Sequence, residues 1–177
     1  MAMTLITTNT SSNAASSSFT SSIDSTYKLY IFKYFDVNPA TDQVDFTFQA
    51  NAAGASGYNE TMTTTAFQAL HTEADDAASL GYNTGEDQAQ GTAYQVLAGL
   101  VGNGGDESAA GTLWLFNPSN TTYVKHFYAT TNFYRYVDRT NNSFFAGYIN
   151  TTTAIDDIQF KMSSGNMDAV IKMYGVG

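Results

Sequence analysis

Residues 158–173 of this 177-residue chain, IQFKMSSGNMDAVIKM, contain its clearest β-strand pattern. Apolar side chains occupy every second position in Ile158–Met162 and again in Ala169–Met173. Because successive side chains of a strand point to opposite faces of a sheet, each run predicts a strand with one apolar face. Residues 163–166, Ser-Ser-Gly-Asn, separate the runs with turn chemistry. The stretch therefore predicts an antiparallel hairpin.

The same pattern occurs earlier in the chain. Residues 27–37 alternate Tyr and Phe with Leu, Ile and Lys, and residues 44–48 alternate Val and Phe with Asp and Thr. Between them, residues 38–42, Asn-Pro-Ala-Thr-Asp, supply a proline that fixes φ and two side chains that bond their own backbone. We expect a second hairpin here, with one face exposed to water.

The remaining segments extend the β pattern. Strands are predicted over residues 61–71, 113–116, 122–131 and 144–150, with loops over 51–58, 102–107 and 132–142. Residues 74–80 are compatible with a short helix, and residues 94–101 with either a strand or a helix. About eight to ten short strands separated by turns predict an all-β fold, an antiparallel two-sheet β-sandwich that is jelly-roll-like.

The first 26 residues differ in composition from the rest. Residues 1–26 are rich in Ser and Thr and carry one charge, Asp24, so either a disordered tail or an extended N-terminal arm fits them. We favour the arm, which adds a strand to its own domain or to a neighbouring subunit, and we assign residues 27–177 to the β-sandwich domain. The interaction arm has four apolar anchors: Leu5, Ile6, Phe19 and Ile23.

Charge and cysteine content exclude several classes of partner. The net charge is −9, and the seven basic residues are scattered along the chain, so we expect neither nucleic acid nor an anionic membrane as a partner. The absence of cysteine excludes disulfides, thiolate zinc sites and cysteine nucleophiles. No secretory signal and no apolar stretch of about 18 residues is present.

The chain has few residues that suit catalysis or metal binding. His71 and His126 are the only histidines, and a two-histidine metal site needs a further carboxylate ligand. Paired acids could supply oxygens for Ca²⁺ or act as a glycosidase pair, but their spacing matches no known motif. We expect no enzymatic activity, no metal and no cofactor. The acids in question are Glu73, Asp75, Asp76, Glu86, Asp87, Asp106, Glu107, Asp156 and Asp157.

One segment is typical of a recognition surface. Asn132-Phe133-Tyr134-Arg135-Tyr136 combines aromatic rings with an amide and a guanidinium group. Aromatic faces stack on apolar patches while polar groups hydrogen-bond, which is how proteins recognise sugars or other proteins. Aromatic residues at alternate positions also occur in cores and at subunit interfaces, and that alternative stays open.

Four segments resemble a recurrent family of virion structural proteins of tailed phages of aquatic bacteria, including cyanophages and marine phages. The segments are residues 22–27, 37–42, 158–166 and 171–176. The resemblance extends over residues 20–177, and the closing segment is its most specific part. This family often has a glycine near the position of Ala169, so we expect the last hairpin to differ slightly in shape from that of the family.

The resemblance implies a virion structural role and brings no catalytic residues. We expect a capsid decoration or cement protein on the outer surface of the phage head, and the alternative is a tail or tail-fibre component with a lectin-like, receptor-binding surface. Its partners would be other virion proteins, either the major capsid protein or tail proteins. We also expect a homo-oligomer, a trimer, located at the outer surface of the virion.

Overall fold

The computed structural model describes residues 2–177 and shows an all-β protein. No helix is present in this range, and so none that is long and apolar enough to cross a membrane. Twelve strands follow one another along the chain. They are β1 (Met3–Ala14), β2 (Ser17–Phe19), β3 (Leu29–Pro39), β4 (Val44–Ala52), β5 (Met62–Thr72), β6 (Ala78–Tyr82), β7 (Gln95–Val101), β8 (Ala109–Phe116), β9 (Lys125–Arg135), β10 (Arg139–Ile149), β11 (Ile155–Met162) and β12 (Met167–Val176).

The strands form one antiparallel hydrogen-bonded network that nearly closes into a cylinder. The strand order is β1-β12-β3-β8-β9-β7-β4-β11-β2, and β10, β5 and β6 continue outward from β9. The two ends of the order meet where Asn9 Nδ2 of β1 donates a hydrogen bond to the Ser18 carbonyl of β2, at 2.9 Å. A side-chain contact thus bridges the two strands at the ends of the order.

The core is built from aromatic side chains that converge on Phe160. Its ring is stacked with that of Phe46, with centroids 5.9 Å apart, and it contacts the ring of Phe32 at 5.6 Å. The alternation predicted for β3, β4 and β11 therefore puts the expected residues inside. Five rings surround Phe160 within 6.3 Å: Phe19, Phe32, Tyr34, Phe46 and Phe48.

Both predicted hairpins are wrong, although their strands are confirmed. The predicted exposed face is also wrong for β4, where Thr47 and Gln49 are buried together with Phe46 and Phe48. β3 does not pair with β4, and β11 does not pair with β12; instead β3 pairs with β12 and β4 pairs with β11. The two connecting turns lie side by side, because the Ala40 amide donates to the Asn166 carbonyl at 2.9 Å. Each turn connects two strands that are not neighbours in the strand order. Alternation is the same whether or not consecutive strands pair, so it does not reveal the pairing.

Three segments whose structure the sequence left ambiguous or predicted to be a loop all contain strand residues. Residues 74–80, which are compatible with a helix, form a turn followed by β6, whose residues are all exposed. Residues 94–101 hold strand β7. The predicted loop 132–142 is wrong at both ends, because β9 continues to Arg135 and β10 begins at Arg139. Most of the residues predicted to form this loop therefore belong to the paired strands β9 and β10.

The Ser/Thr-rich N-terminal segment contains two strands. β1 pairs along its length with β12, from Met3 opposite Val176 to Ala14 opposite Met167. No residue of β1 is buried, whereas Phe19 of β2 is 2% exposed. Backbone hydrogen bonds therefore hold β1, and core packing holds β2.

Candidate functional site

An aromatic surface lies on the outside of strands β8, β9, β10 and β5. In β8, Leu113 and Leu115 point into the core, so Trp114 and Phe116 point outward. In β9, Tyr128 likewise points outward between two core residues. Since a strand facing water on one side is normally polar there, aromatic residues on the outer face require an explanation.

Six side chains define this surface, the outer aromatic patch: Phe67, Trp114, Phe116, Tyr128, Phe144 and Tyr148. The rings of Trp114 and Tyr128, which are cross-strand neighbours, are stacked with centroids 4.5 Å apart. The rings of Phe67 and Phe144 are stacked at 4.8 Å. Stacked cross-strand pairs hold one another in place, so the patch presents fixed ring faces.

Two neighbouring grooves run through the outer aromatic patch. Their volumes are about 370 and 260 Å³, and they share the side chains of Thr65, Tyr128 and Ala146. Thr65 and Ala146 are small and stand opposite each other in β5 and β10, between the aromatic pairs. The small residues therefore create the grooves, and the rings form their walls.

The outer aromatic patch is uncharged. No Asp, Glu, Lys or Arg is among the residues that line either groove, although the chain carries a net charge of −9. Ring faces and threonine hydroxyls can bind apolar side chains of a protein or the apolar faces of sugar rings. Within residues 2–177, no group of three or more His, Asp and Glu side chains is placed to hold a metal ion.

The five residues of the predicted recognition surface do not share one face. Asn132 is exposed, Phe133 is 2% exposed and lies in the core, and Tyr134, Arg135 and Tyr136 are half-buried. Because neighbouring residues of a strand point in opposite directions, a run of consecutive residues in β9 is divided between the two sides. Phe133 is thus unavailable to a ligand at the surface.

Tyr134 belongs to a polar cluster at the β9–β10 turn. Its hydroxyl donates a hydrogen bond to the Asp138 carboxylate at 3.2 Å. Desolvation, followed by the hydrogen bonds to Glu73 and Asp138, raises the pKa of Tyr134 above its usual value. The amide of Glu73 also donates to the Asp138 carbonyl, so these contacts join the β5–β6 turn to the β9–β10 turn. The cluster fixes two turns together.

The four predicted anchors of the arm have different environments. Phe19 and Ile23 are 2% and 4% exposed and pack in the core of their own chain. Ile6 is partly buried against that core, and Leu5 is 50% exposed. Phe19 and Ile23 therefore fix the second half of the arm, and Leu5 is available at the surface.

No protein-family model matches the chain, and no curated protein is significantly similar to it.

The patterns used to predict a recognition surface do not point to the outer aromatic patch. Its signal was present in β8, where Leu113 and Leu115 alternate with Trp114 and Phe116, so that both faces of one strand are apolar. A strand with two apolar faces is typical of a position that is covered on both sides.

Proposed function

We propose that this protein is a structural component of a phage virion, without enzymatic activity. The observation that carries the proposal is the outer aromatic patch, because exposed clusters of large apolar side chains mark surfaces that another molecule covers. Phe67 and Tyr128 are 45% and 43% exposed in the single chain. A surface of this kind is useful in an assembly, where protein contacts bury it. The resemblance to phage virion proteins adds the kind of assembly.

We also propose that the nearly closed sheet is a jelly-roll-like sandwich. Its layers would be β1-β12-β3-β8-β9-β10-β5-β6 and β7-β4-β11-β2. Two observations support this division. β7 meets β9 at one paired position only, Val101 opposite Arg135. The β3–β4 and β11–β12 turns both connect strands that are not neighbours in the strand order, as the connections between the two sheets of a sandwich do.

Within the virion, we place the protein on the outer surface of the head as a decoration or cement protein. Its negative charge disfavours contact with packaged DNA. Strand β1 has no buried residue and lies at a sheet edge, so it suits an arm that pairs with neighbouring subunits. The partner in this role is the major capsid protein, together with further copies of the chain.

Labelling of virus particles tests this proposal. Gold-conjugated antibodies against the purified chain should label the heads of particles, and quantitative mass spectrometry should count on the order of hundreds of copies per particle, because a shell repeats its subunits by symmetry. About a dozen copies, with gold at the tail, would move the protein to the tail. Unlabelled particles that lack the chain would refute a virion role.

A second candidate is a tail or tail-fibre component with a lectin-like surface. The stacked Trp114 and Tyr128 rings favour it, because they stand beside the hydroxyl of Thr65 and could stack on a neutral sugar. Glycan binding by the purified protein, lost in Trp114→Ala, would support this role. Loss in Tyr134→Ala or Tyr136→Ala would instead place the sugar at the β9–β10 turn. A complete lack of glycan binding would remove the candidate.

A further inference from the structure

We propose that the outer aromatic patch packs against the same patch of a second copy of the chain, across a twofold axis. The inference deepens the proposed function, since it names the molecule that covers the patch. In the single chain the patch exposes Phe67 and Tyr128 by nearly half, beside Trp114 and Phe116. Burial of such side chains is the main source of affinity in stable interfaces.

The shape of the patch favours a copy of itself. The ridge of stacked Trp114 and Tyr128 stands directly beside the grooves above Thr65 and Ala146. In a twofold contact, if one residue of the first copy contacts another residue of the second copy, the same two residues also meet with the copies exchanged. A ridge beside a groove on one copy can therefore fit the groove and the ridge of the other copy. The Tyr128 ring of each copy would enter the groove beside Ala146 of the other.

The charge of the chain is compatible with the same partner. Two copies that each carry a net charge of −9 repel one another at most orientations. No Asp, Glu, Lys or Arg lines either groove, and His126 lines one of them. A contact through the patch therefore brings two like-charged copies together without placing one carboxylate against another in the grooves.

The twofold geometry departs from the trimer expected from the sequence. A contact between identical patches is closed after two copies, whereas a ring of three needs two different patches on each chain. The expected assembly is a dimer with twice the 19.1 kDa mass of the chain. Larger assemblies would be built from such dimers.

Mass measurement of the purified full-length protein by analytical ultracentrifugation tests the inference. The native chain should be a dimer, and Tyr128→Arg should weaken dimerisation by at least about 30-fold, because it places a cation from each copy in the interface. Val137→Arg is the matched control. Val137 has the same 43% exposure as Tyr128 and lies outside the patch, and its substitution introduces the same charge. This control should remain dimeric.

Ala146→Trp provides a second variant, because it fills the groove from an exposed position and leaves every aromatic residue in place. It should also give monomers, with an unchanged circular-dichroism spectrum. A native monomer, or a dimer that survives both patch variants, would overturn the inference, as would a trimer that depends on Tyr128. A monomer that binds neutral glycans or empty phage shells through Trp114 would overturn it in favour of those ligands. Particle labelling tests the virion role separately.

Discussion

Phe160, in β11 near the end of the chain, packs in the core against aromatic rings of β2, β3 and β4. Its ring lies within 6.3 Å of five other aromatic rings, including that of Phe19 in β2 and that of Phe32 in β3. Aromatic pairs with such geometry add to the free energy of apolar burial. The packing of this one residue therefore joins the N-terminal segment to the rest of the fold.

Truncation of Phe160 should be costly. Phe160→Ala removes the central ring and leaves a cavity, so the free energy of unfolding should fall by about 3–5 kcal/mol. Phe160→Leu, which fills part of the space, should cost less. Phe35 offers a matched control, since it is 39% exposed and Phe35→Ala should change stability by about 0.5 kcal/mol or less. Urea unfolding measures all three; equal losses for Phe160→Ala and Phe35→Ala would contradict this packing.

Lys125 is a buried cation without a carboxylate partner among the described residues. Its side chain is fully buried, and its Nζ donates hydrogen bonds to the carbonyls of Tyr123 and Thr151, both at 3.0 Å. Burial lowers the pKa of Lys125 below its usual 10.5. The two carbonyl acceptors thus satisfy the amino group of Lys125 at the start of β9, a buried position where an apolar side chain would be expected.

The lowered pKa predicts a pH dependence of stability. Between the folded pKa and 10.5, the unfolded chain holds a proton that the folded chain has released, so stability rises with pH in this window and is constant in this respect below it. Lys125→Met removes the group. The free energy of unfolding of the native protein, relative to Lys125→Met, should increase between about pH 7 and about pH 10. Urea titrations that give parallel pH profiles for both proteins would contradict the prediction.

At the scale of elements, the sequence predicts strands and their buried faces better than their partners. Period-two alternation reports which side chains of β11 and β12 enter the core. In β4 it identifies Val44, Phe46 and Phe48, but Thr47 and Gln49 on the other face are buried as well. It contains no information on whether the next strand lies alongside or across the core, because a short turn can serve both arrangements. The contacts that decide this, such as that between Ala40 and Asn166, join residues that are far apart in sequence.

β6 shows a second limit of sequence reasoning. Residues 78–82 include Leu80 and Tyr82, but all five residues are exposed, and the strand is held by pairing with β5 from Phe67 to His71. Burial patterns predict strands that face a core, and this strand faces none. Residues 74–80 are compatible with a short helix by composition, but backbone pairing at the sheet edge overrides this weak local preference.

Deletion of β1 tests the division of the N-terminal segment. Removal of residues 2–14 takes away a strand with no buried residue, so the protein should still unfold cooperatively, with a modest loss of stability. Removal of residues 2–22 also takes away Phe19, and it should cost at least about 3 kcal/mol more. Circular dichroism and urea unfolding compare the two proteins. Loss of the folded state in the shorter deletion would show that β1 is part of the core structure.

The shorter deletion also separates folding from attachment. If β1 pairs with neighbouring subunits on a virion, the folded 2–14 deletion should bind shells more weakly than the full chain does. Equal occupancy of both proteins on particles would contradict the role of the arm. The result is informative because Leu5 is half exposed and Phe19 stays in the core.

At the scale of the whole molecule, the outer aromatic patch is assembled from four strands between residues 63 and 148. Each strand contributes one or two rings. The sequence of any one of these strands therefore does not predict the patch. The recognition surface expected at residues 132–136 consists of consecutive residues, and a strand divides consecutive residues between its two faces. A surface made by cross-strand neighbours depends on the strand order, which alternation along the sequence does not predict.

A density map of the assembled virus particle would show which molecule covers the outer aromatic patch. We predict the chain on the outer surface of the head, with the Trp114 and Tyr128 rings buried against a second copy. A particle in which these rings face solvent, or a particle without the chain, would contradict the account.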